Sequence, residues 1–158
     1  MTVTIITVGS LKEGYLREAV AEYKKRLSQY AKIEEIELKE ERIKDEDNPR
    51  EVAEALECEA EKILAAIPDG AVKIALCVEG KLLSSEELAE IVGEAEDRSG
   101  KLALIIGSSH GLSDRVKRAA DNRISFSRLT FPHQLIRVNL YEAIYRSFTI
   151  LRGKKYHK

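Results

Sequence analysis

Short apolar runs alternate along this chain with segments of helical periodicity, and this alternation constrains the fold more than any other feature. Strands are predicted at residues 3–8, 33–38, 71–78, 102–106 and 124–127, and helices at residues 13–30, 49–67, 84–95, 113–120 and 132–151. Strands that alternate with helices predict a mostly parallel sheet covered on both faces. We expect one α/β domain, because 158 residues can bury a proper core and no linker divides them.

Local signals define several of these boundaries. Asn48 followed by Pro49 is typical of a helix start, and Ser84 with Glu87 matches the capping-box pattern. We expect residues 79–80 to close the third strand. The second strand has an acidic setting, which predicts a position nearer an edge of the sheet.

Composition excludes several classes of protein. No stretch approaches the roughly 20 apolar residues that a membrane-spanning helix needs, and the first residues lack the features of a signal peptide. Cys58 and Cys77 do not resemble a disulfide framework, so we expect a reducing, cytoplasmic setting. No histidine has a partner at metal-ligand spacing, so we predict no metal.

Charge is distributed unevenly along the chain. Residues 115–158 hold 11 basic and 2 acidic residues, a net charge of +9, whereas the first 114 residues hold 15 basic and 25 acidic, a net charge of −10. This asymmetry indicates a polyanionic partner for the basic half. The alternative is that the basic end pairs with the acidic one, within the chain or across a dimer.

Three predicted strand ends carry distinctive residues, and ligands of parallel sheets bind at such ends. Residues 76–78 end the third strand, residues 107–109 follow the fourth and begin the segment 107–111 (GSSHG, the glycine turn), and residues 126–131 run from the end of the fifth strand into the loop after it. Hydroxyls and aromatic side chains alternate through the last segment, which suits a flat heterocycle. The alternatives are an ordinary strand-to-helix turn at the glycine turn and a helix start capped by Thr130.

The last helix and the residues after it offer further candidates. The helix is apolar on more than one side, which favours a homodimer, although core packing alone is the alternative. Arg137, Arg146 and Arg152 could turn inward at a site, and we expect His110 to be exposed. The basic tail, residues 153–158, combines cations, Tyr156 and His157, which are ingredients of RNA contact.

The motifs IIGSSHGLSD and SFSRLTFPHQLIRVNLYEAIYRSFTILRG, together with the closing YHK, resemble those of a known family. The family is that of the bacterial large-subunit (23S) ribosomal RNA pseudouridine N3-methyltransferases, in the knotted SPOUT superfamily. The SFSRLTFPHQ and RG-x-x-YHK elements are highly specific together. The length and the strand-like start also match, so the resemblance covers essentially the whole chain.

The resemblance implies one SPOUT domain over residues 1–158, with a deep C-terminal trefoil knot, a homodimer and S-adenosylmethionine as methyl donor held in the knot. It also implies methylation at N3 of a pseudouridine in ribosomal RNA, on the assembled ribosome; the alternative function is a non-catalytic RNA-binding assembly factor. The implied catalytic residues, acting across the dimer interface, are His157, Tyr156 and Arg152. The implied donor-binding residues are Leu76, Gly107, Phe126, Ser127, Arg128, Leu129, Thr130 and Phe131.

The chain departs from the family pattern at three places. The second glycine of the glycine turn is Ser108, whose side chain either narrows the donor pocket or points outward. Lys155 replaces a small residue or proline and adds a phosphate contact. The family has a Glu-Gln pair in the last helix, and here that pair reads Glu142-Ala143. Any role of the glutamine is therefore in question for this chain.

Overall fold

The fold follows the alternation of strands and helices that the sequence predicts. A computed structural model describes residues 1–157, and Lys158 of the predicted tail lies outside the described residues. The elements are β1 (Thr2–Val8), α1 (Gly14–Leu27), β2 (Lys32–Leu38), α2 (Pro49–Ala66), β3 (Val72–Leu82), α3 (Ser85–Arg98), β4 (Lys101–Ile106), α4 (Asp114–Ala119), β5 (Asn122–Ser125) and α5 (His133–Leu151).

The five strands form one parallel sheet in the order β2-β1-β4-β3-β5. The predicted parallel α/β domain is therefore confirmed, and β2 lies at an edge as its acidic setting indicates. Because every strand points the same way, the carboxyl ends of β3, β4 and β5 lie along one side of the sheet. The residues that follow these strands are thus brought together.

Helices cover both faces of the sheet. Side chains of a strand alternate between faces, and β1 divides its apolar residues accordingly. Val3 and Ile5 pack with α1, α3 and α5, whereas Ile6 and Val8 pack with α2 and α4. None of the helices formed by residues 1–157 is long and apolar enough to cross a membrane.

Helix α5 uses its apolar stripe in the core of its own chain. Leu140, Ile144 and Phe148 are fully buried among α1, α3 and the sheet. Arg137 turns inward as predicted for a site, but it donates to the backbone oxygen of Gly9 and pairs with Glu37. The stripe and Arg137 therefore fix α5 to the sheet, and any dimer must use other surfaces.

The capping signals of α2 and α3 are confirmed. Asn48 accepts a hydrogen bond from the Arg50 amide at 3.1 Å, and Ser84 and Glu87 form both bonds of a capping box. The interpretation of Thr130 as a cap of α5 is wrong. Pro132 occupies the cap position without a side-chain hydrogen bond, and its carbonyl accepts from the amide of Ile136 at 3.1 Å.

Two predicted strand ends differ from the structure. β3 does not close at residues 79–80 but continues to Leu82, with an irregularity that lets Ile124 of β5 pair with both Leu76 and Lys81. β5 ends at Ser125, two residues before the predicted end. The continuation of β3 depends on Gly80, where a Cβ would lie 2.3 Å from the backbone carbon of Ile124.

Substitution of Gly80 tests this close approach. We expect Gly80→Ala to destabilise the fold by about 3 kcal/mol, because the strands must separate to admit the methyl group. The matched control is Gly14→Ala at the start of α1, where the nearest contact would be a flexible side-chain atom at 3.8 Å. Urea unfolding that places the two variants at equal stability would contradict the geometry.

Candidate functional site

A cavity of about 340 Å³ opens beside residues 76–79 of β3 and at the ends of β4 and β5, and we call it the strand-end cavity. Leu76 of β3, the glycine turn after β4 and the loop after β5 all line it, so the three predicted strand ends meet in one place. The remaining lining residues are Cys77, Val78, Glu79, Ile106, Leu112, Lys117, Ile124, Ser125, His133 and Ile136.

The glycine turn brings bare backbone to the wall of the cavity. A Cβ on Gly107 would lie 2.0 Å from the carbonyl oxygen of Gly111, so no larger residue fits there. The Gly111 amide donates to the Ser108 carbonyl at 2.9 Å and closes the turn. Backbone groups this close to a cavity can form hydrogen bonds to a bound ligand.

The Ser108 side chain is directed toward α2. Its hydroxyl donates to the buried carboxylate of Glu59 on α2 at 3.0 Å, and Ser108 is 6% exposed. The hydroxyl therefore points into the protein interior and not outward, while Ser108 still belongs to the lining of the cavity.

The loop after β5, residues 126–132, is shaped by its own hydroxyl groups. Ser125 donates to the Ser127 carbonyl at 3.0 Å, and the Ser127 hydroxyl accepts from the Leu129 amide at 2.9 Å. These local bonds hold the chain out of a strand conformation. Leu129 and Phe131 consequently remain exposed beside the cavity.

Charged and titratable groups of the cavity are few. Lys117 of α4 pairs with Glu79 and lowers the pKa of that carboxyl. Burial raises the pKa of the Cys77 thiol and lowers the pKa of the His133 imidazole, so both are neutral at pH 7. A neutral, half-buried thiol is a poor nucleophile, and the cavity therefore suits binding better than covalent catalysis.

The described part of the C-terminal tail, residues 153–157, packs against α3 and α5 of the same chain. The Tyr156 hydroxyl donates to Glu142 at 3.1 Å, and the Arg146 guanidinium lies 4.8 Å from the centre of the Tyr156 ring. His157 places Nε2 2.7 Å from Glu86 and Nδ1 3.4 Å from Arg146. Burial, with hydrogen bonding, raises the pKa of Tyr156 to about 12, so its phenol stays protonated near pH 7.

A second cavity, of about 270 Å³, shares lining residues with the strand-end cavity, and we call it the tail cavity because Glu142, which binds Tyr156, lines it. Phe126 and Phe131 line both cavities. Arg152 pairs with Glu96 at 2.6 Å. Within the described residues of one chain, the candidate catalytic residues thus lie near the tail cavity or outside both cavities.

The predicted donor-binding residues are largely brought together. Seven of the eight line the strand-end cavity, and Arg128 does not, although the structure describes it. Sequence reasoning missed Glu79 and Lys117, since Glu79 was assigned to a closing turn and Lys117 carries no motif. His110, expected to be exposed, is half-buried and also lines the cavity.

Comparison with known proteins decides the family. A family model described as "Predicted SPOUT methyltransferase" matches residues 1–157. The chain belongs to the SPOUT methyltransferase family. Ribosomal RNA large subunit methyltransferase H of Caldicellulosiruptor saccharolyticus is 50% identical over 156 residues, 99% of both chains, and the protein of that name in Bacillus pumilus is 47% identical over 159 residues, 100% of both chains.

A solved structure supports the fold independently. A methylase family protein from Neisseria gonorrhoeae matches 91% of this chain and 81% of its own with a TM-score of 0.53, at 17% identity. The family model and the relatives confirm the resemblance inferred from the C-terminal motifs. Membership in this family implies a methyl donor of the S-adenosylmethionine type.

The strand-end cavity fits such a donor. Leu76, Ile106 and Phe126 supply apolar walls for a heterocycle, and the glycine turn supplies backbone groups for polar atoms. A side chain at Gly107 would need the space of the turn itself, so the glycine is required by the local geometry. No group of three or more metal-ligating side chains occurs among residues 1–157, and the absence of a metal stays a prediction.

Proposed function

We propose that this SPOUT family member transfers a methyl group from S-adenosylmethionine to N3 of a pseudouridine in large-subunit ribosomal RNA. The donor binds in the strand-end cavity, held by the seven predicted residues that line it. The observation that carries this proposal is that Leu76 of β3 and the segments after β4 and β5 meet around the bare backbone at Gly107. The names of the relatives support the choice of RNA as substrate.

The basic half of the chain supports a polyanionic substrate. Ten of its 11 basic residues lie in the described region, and the last is Lys158. Ion pairs with acidic residues engage Arg115, Lys117, Arg137, Arg146 and Arg152. Because much of the basic charge is already paired, affinity for free RNA should be modest, and the shape of an assembled ribosome in the cytoplasm completes recognition.

We also propose a homodimer, with the tail of one chain reaching the strand-end cavity of the other. Val78 and Leu129 line that cavity and are 85% and 76% exposed, and Phe131 and Leu135 beside them are also exposed. Such an apolar rim at a ligand site favours cover by a partner. The partner we expect is a second copy of this chain, since Tyr156 and His157 do not line the cavity of their own chain and a second copy would bring its own tail.

The proposed domain spans residues 1–158, with residues 153–158 as its basic tail and a C-terminal trefoil knot. The position of α5 supports the knot. Residues 126–132 lead from the edge strand β5 back across the sheet, and Gln134 then accepts from the Lys12 amide at 3.1 Å near the end of β1. Helix α5 continues between α1 and α3.

The residues of the tail receive roles in moving the N3 proton. When bound, the donor would supply a methyl group on a cationic sulfur, and this sulfur leaves as a neutral thioether when a nucleophile attacks the methyl carbon in line. His157 is the proposed proton acceptor, because its imidazole lies between the Glu86 carboxylate at Nε2 and Arg146 at Nδ1, and a proton on Nε2 that faces Glu86 leaves Nδ1 as the accepting nitrogen. Tyr156 stacks on the target pyrimidine or donates a hydrogen bond to it, and Arg152, released from Glu96, stabilises the imide anion.

The experiment that tests this function uses labelled S-adenosylmethionine with naked RNA, isolated large subunits or whole ribosomes. We expect incorporation into whole ribosomes, and none into ribosomes that carry uridine in place of the pseudouridine. Rate and RNA affinity should both fall as salt rises. If the protein binds RNA but does not bind S-adenosylmethionine, whether naked RNA, large subunits or whole ribosomes are present, the proposal is contradicted. That result would favour a non-catalytic assembly factor.

A further inference from the structure

Glu59 is a buried carboxylate that the proposed chemistry does not use. It lies on the inner face of α2, beside the buried Ala60, and is 3% exposed. A buried carboxylate is costly unless hydrogen bonds satisfy both oxygens. Burial raises the pKa of Glu59, and its two hydrogen bonds counteract this rise. Burial of this carboxylate therefore carries a desolvation cost that its two hydrogen bonds offset.

The two partners of Glu59 come from two different segments beside the strand-end cavity. One oxygen accepts from the Ser108 hydroxyl of the glycine turn at 3.0 Å. The other oxygen accepts from the Glu41 amide at 2.9 Å, in the charged segment of residues 39–47 that follows β2. Glu59 therefore joins a segment without helix or strand to the wall of the cavity.

Further contacts link the same two segments. The Ser109 hydroxyl donates to Glu40 at 3.3 Å, and His110 Nε2 lies 3.9 Å from a carboxylate oxygen of Glu46. These groups are more exposed than Glu59, so each contact is individually weak. The buried pair of Glu59 and Ser108 is the part of this contact that water does not reach.

We propose that Glu59 is a positioning residue for the methyl donor: through Ser108 it fixes the glycine turn, and through Glu41 it ties the charged segment to that turn. The inference rests on the proposed donor site. It also gives Ser108 a function, since its hydroxyl bonds the glycine turn to Glu59 of α2 at a position where the family pattern has glycine. Displacement by about 1 Å costs on the order of 100-fold in rate, so a preset turn matters.

The test combines hydrogen exchange of the ligand-free protein with calorimetry of S-adenosylmethionine binding. We expect Glu59→Ala to speed amide exchange in residues 39–47 and 107–112 and to weaken donor affinity about tenfold, because both anchors are lost. Ser108→Ala should speed exchange mainly in the turn. Glu59→Gln keeps the size of the side chain and can bond both partners, so its affinity should stay near that of the unaltered protein.

The control for general destabilisation is Val20→Ala, which removes buried packing from α1 on the other face of the sheet. We expect it to lower the melting temperature without changing donor affinity. Unchanged exchange and affinity in both Glu59→Ala and Ser108→Ala would overturn the inference and leave the donor site intact. An equal loss of affinity in Val20→Ala would also overturn it. Failure of the unaltered protein to bind the donor would instead refute the proposed function, and the inference with it.

Discussion

Gly107→Ala is expected to weaken binding of S-adenosylmethionine about 100-fold, because the added methyl group displaces the backbone that lines the donor site. The added Cβ would lie 2.0 Å from the Gly111 carbonyl oxygen and 3.0 Å from a methyl group of Leu112. The glycine turn must open to admit it, and the backbone groups at the cavity wall move with the turn. Calorimetry of donor binding measures the loss directly.

Stability must be measured on the same variant, because a clash of this kind also costs about 2 kcal/mol of folding free energy. Val20→Ala is the informative control, since it removes buried packing from α1 and Val20 does not line the strand-end cavity. We expect the two variants to lose comparable stability but Gly107→Ala to lose far more affinity. Donor affinity in Gly107→Ala within twofold of the unaltered protein would contradict the placement of the donor.

Ending the chain at Lys155 is expected to reduce methyl transfer by about 10³-fold or more while leaving donor affinity nearly unchanged. The truncation removes Tyr156 and His157, the proposed stacking group and base. Neither residue lines the strand-end cavity within one chain, so donor binding should survive. Loss of donor affinity in parallel with activity would contradict this division of roles.

The same truncation tests the proposed dimer. A heterodimer purified from one truncated chain and one Gly107→Ala chain carries both defects. If the tail acts across the interface, both defects fall in one of the two sites and the other site is intact, so about half the activity of the unaltered dimer should return. If each tail serves its own chain, both sites are defective and the heterodimer stays inactive. The unaltered protein should also sediment at twice the 17.8 kDa mass of one chain.

Much of the fold could be predicted because the spacing of apolar residues along the sequence indicates which side chains are buried. The buried strands read as apolar runs, and the capping residues Asn48 and Ser84 marked helix starts through their own hydrogen bonds. The continuation of β3 escaped prediction because glycine usually signals a turn. Here Gly80 lets the backbone of Ile124 pack directly against β3, and this tertiary contact cannot be read from the neighbouring sequence.

The candidate site was predicted only in part, for similar reasons. The chain's own pattern identified the three strand ends, and the parallel sheet then brought them together. The end of β5 was placed too late because Phe126 and Ser127 alternate like a strand, whereas the Ser125 and Ser127 hydroxyls bend the backbone into a loop. Lys117 and Glu59 reach the site region from helices whose orientation depends on packing.

The central claim is that the methyl donor binds beside Leu76 of β3, where β4 and β5 end. A crystal structure with S-adenosylmethionine or its demethylated product tests this most directly. We predict ligand density in the strand-end cavity, with the ring system against Leu76 and Phe126 and polar atoms within hydrogen-bonding distance of the backbone at residues 107–111. Ligand density elsewhere on the protein, with that cavity empty, would contradict the claim.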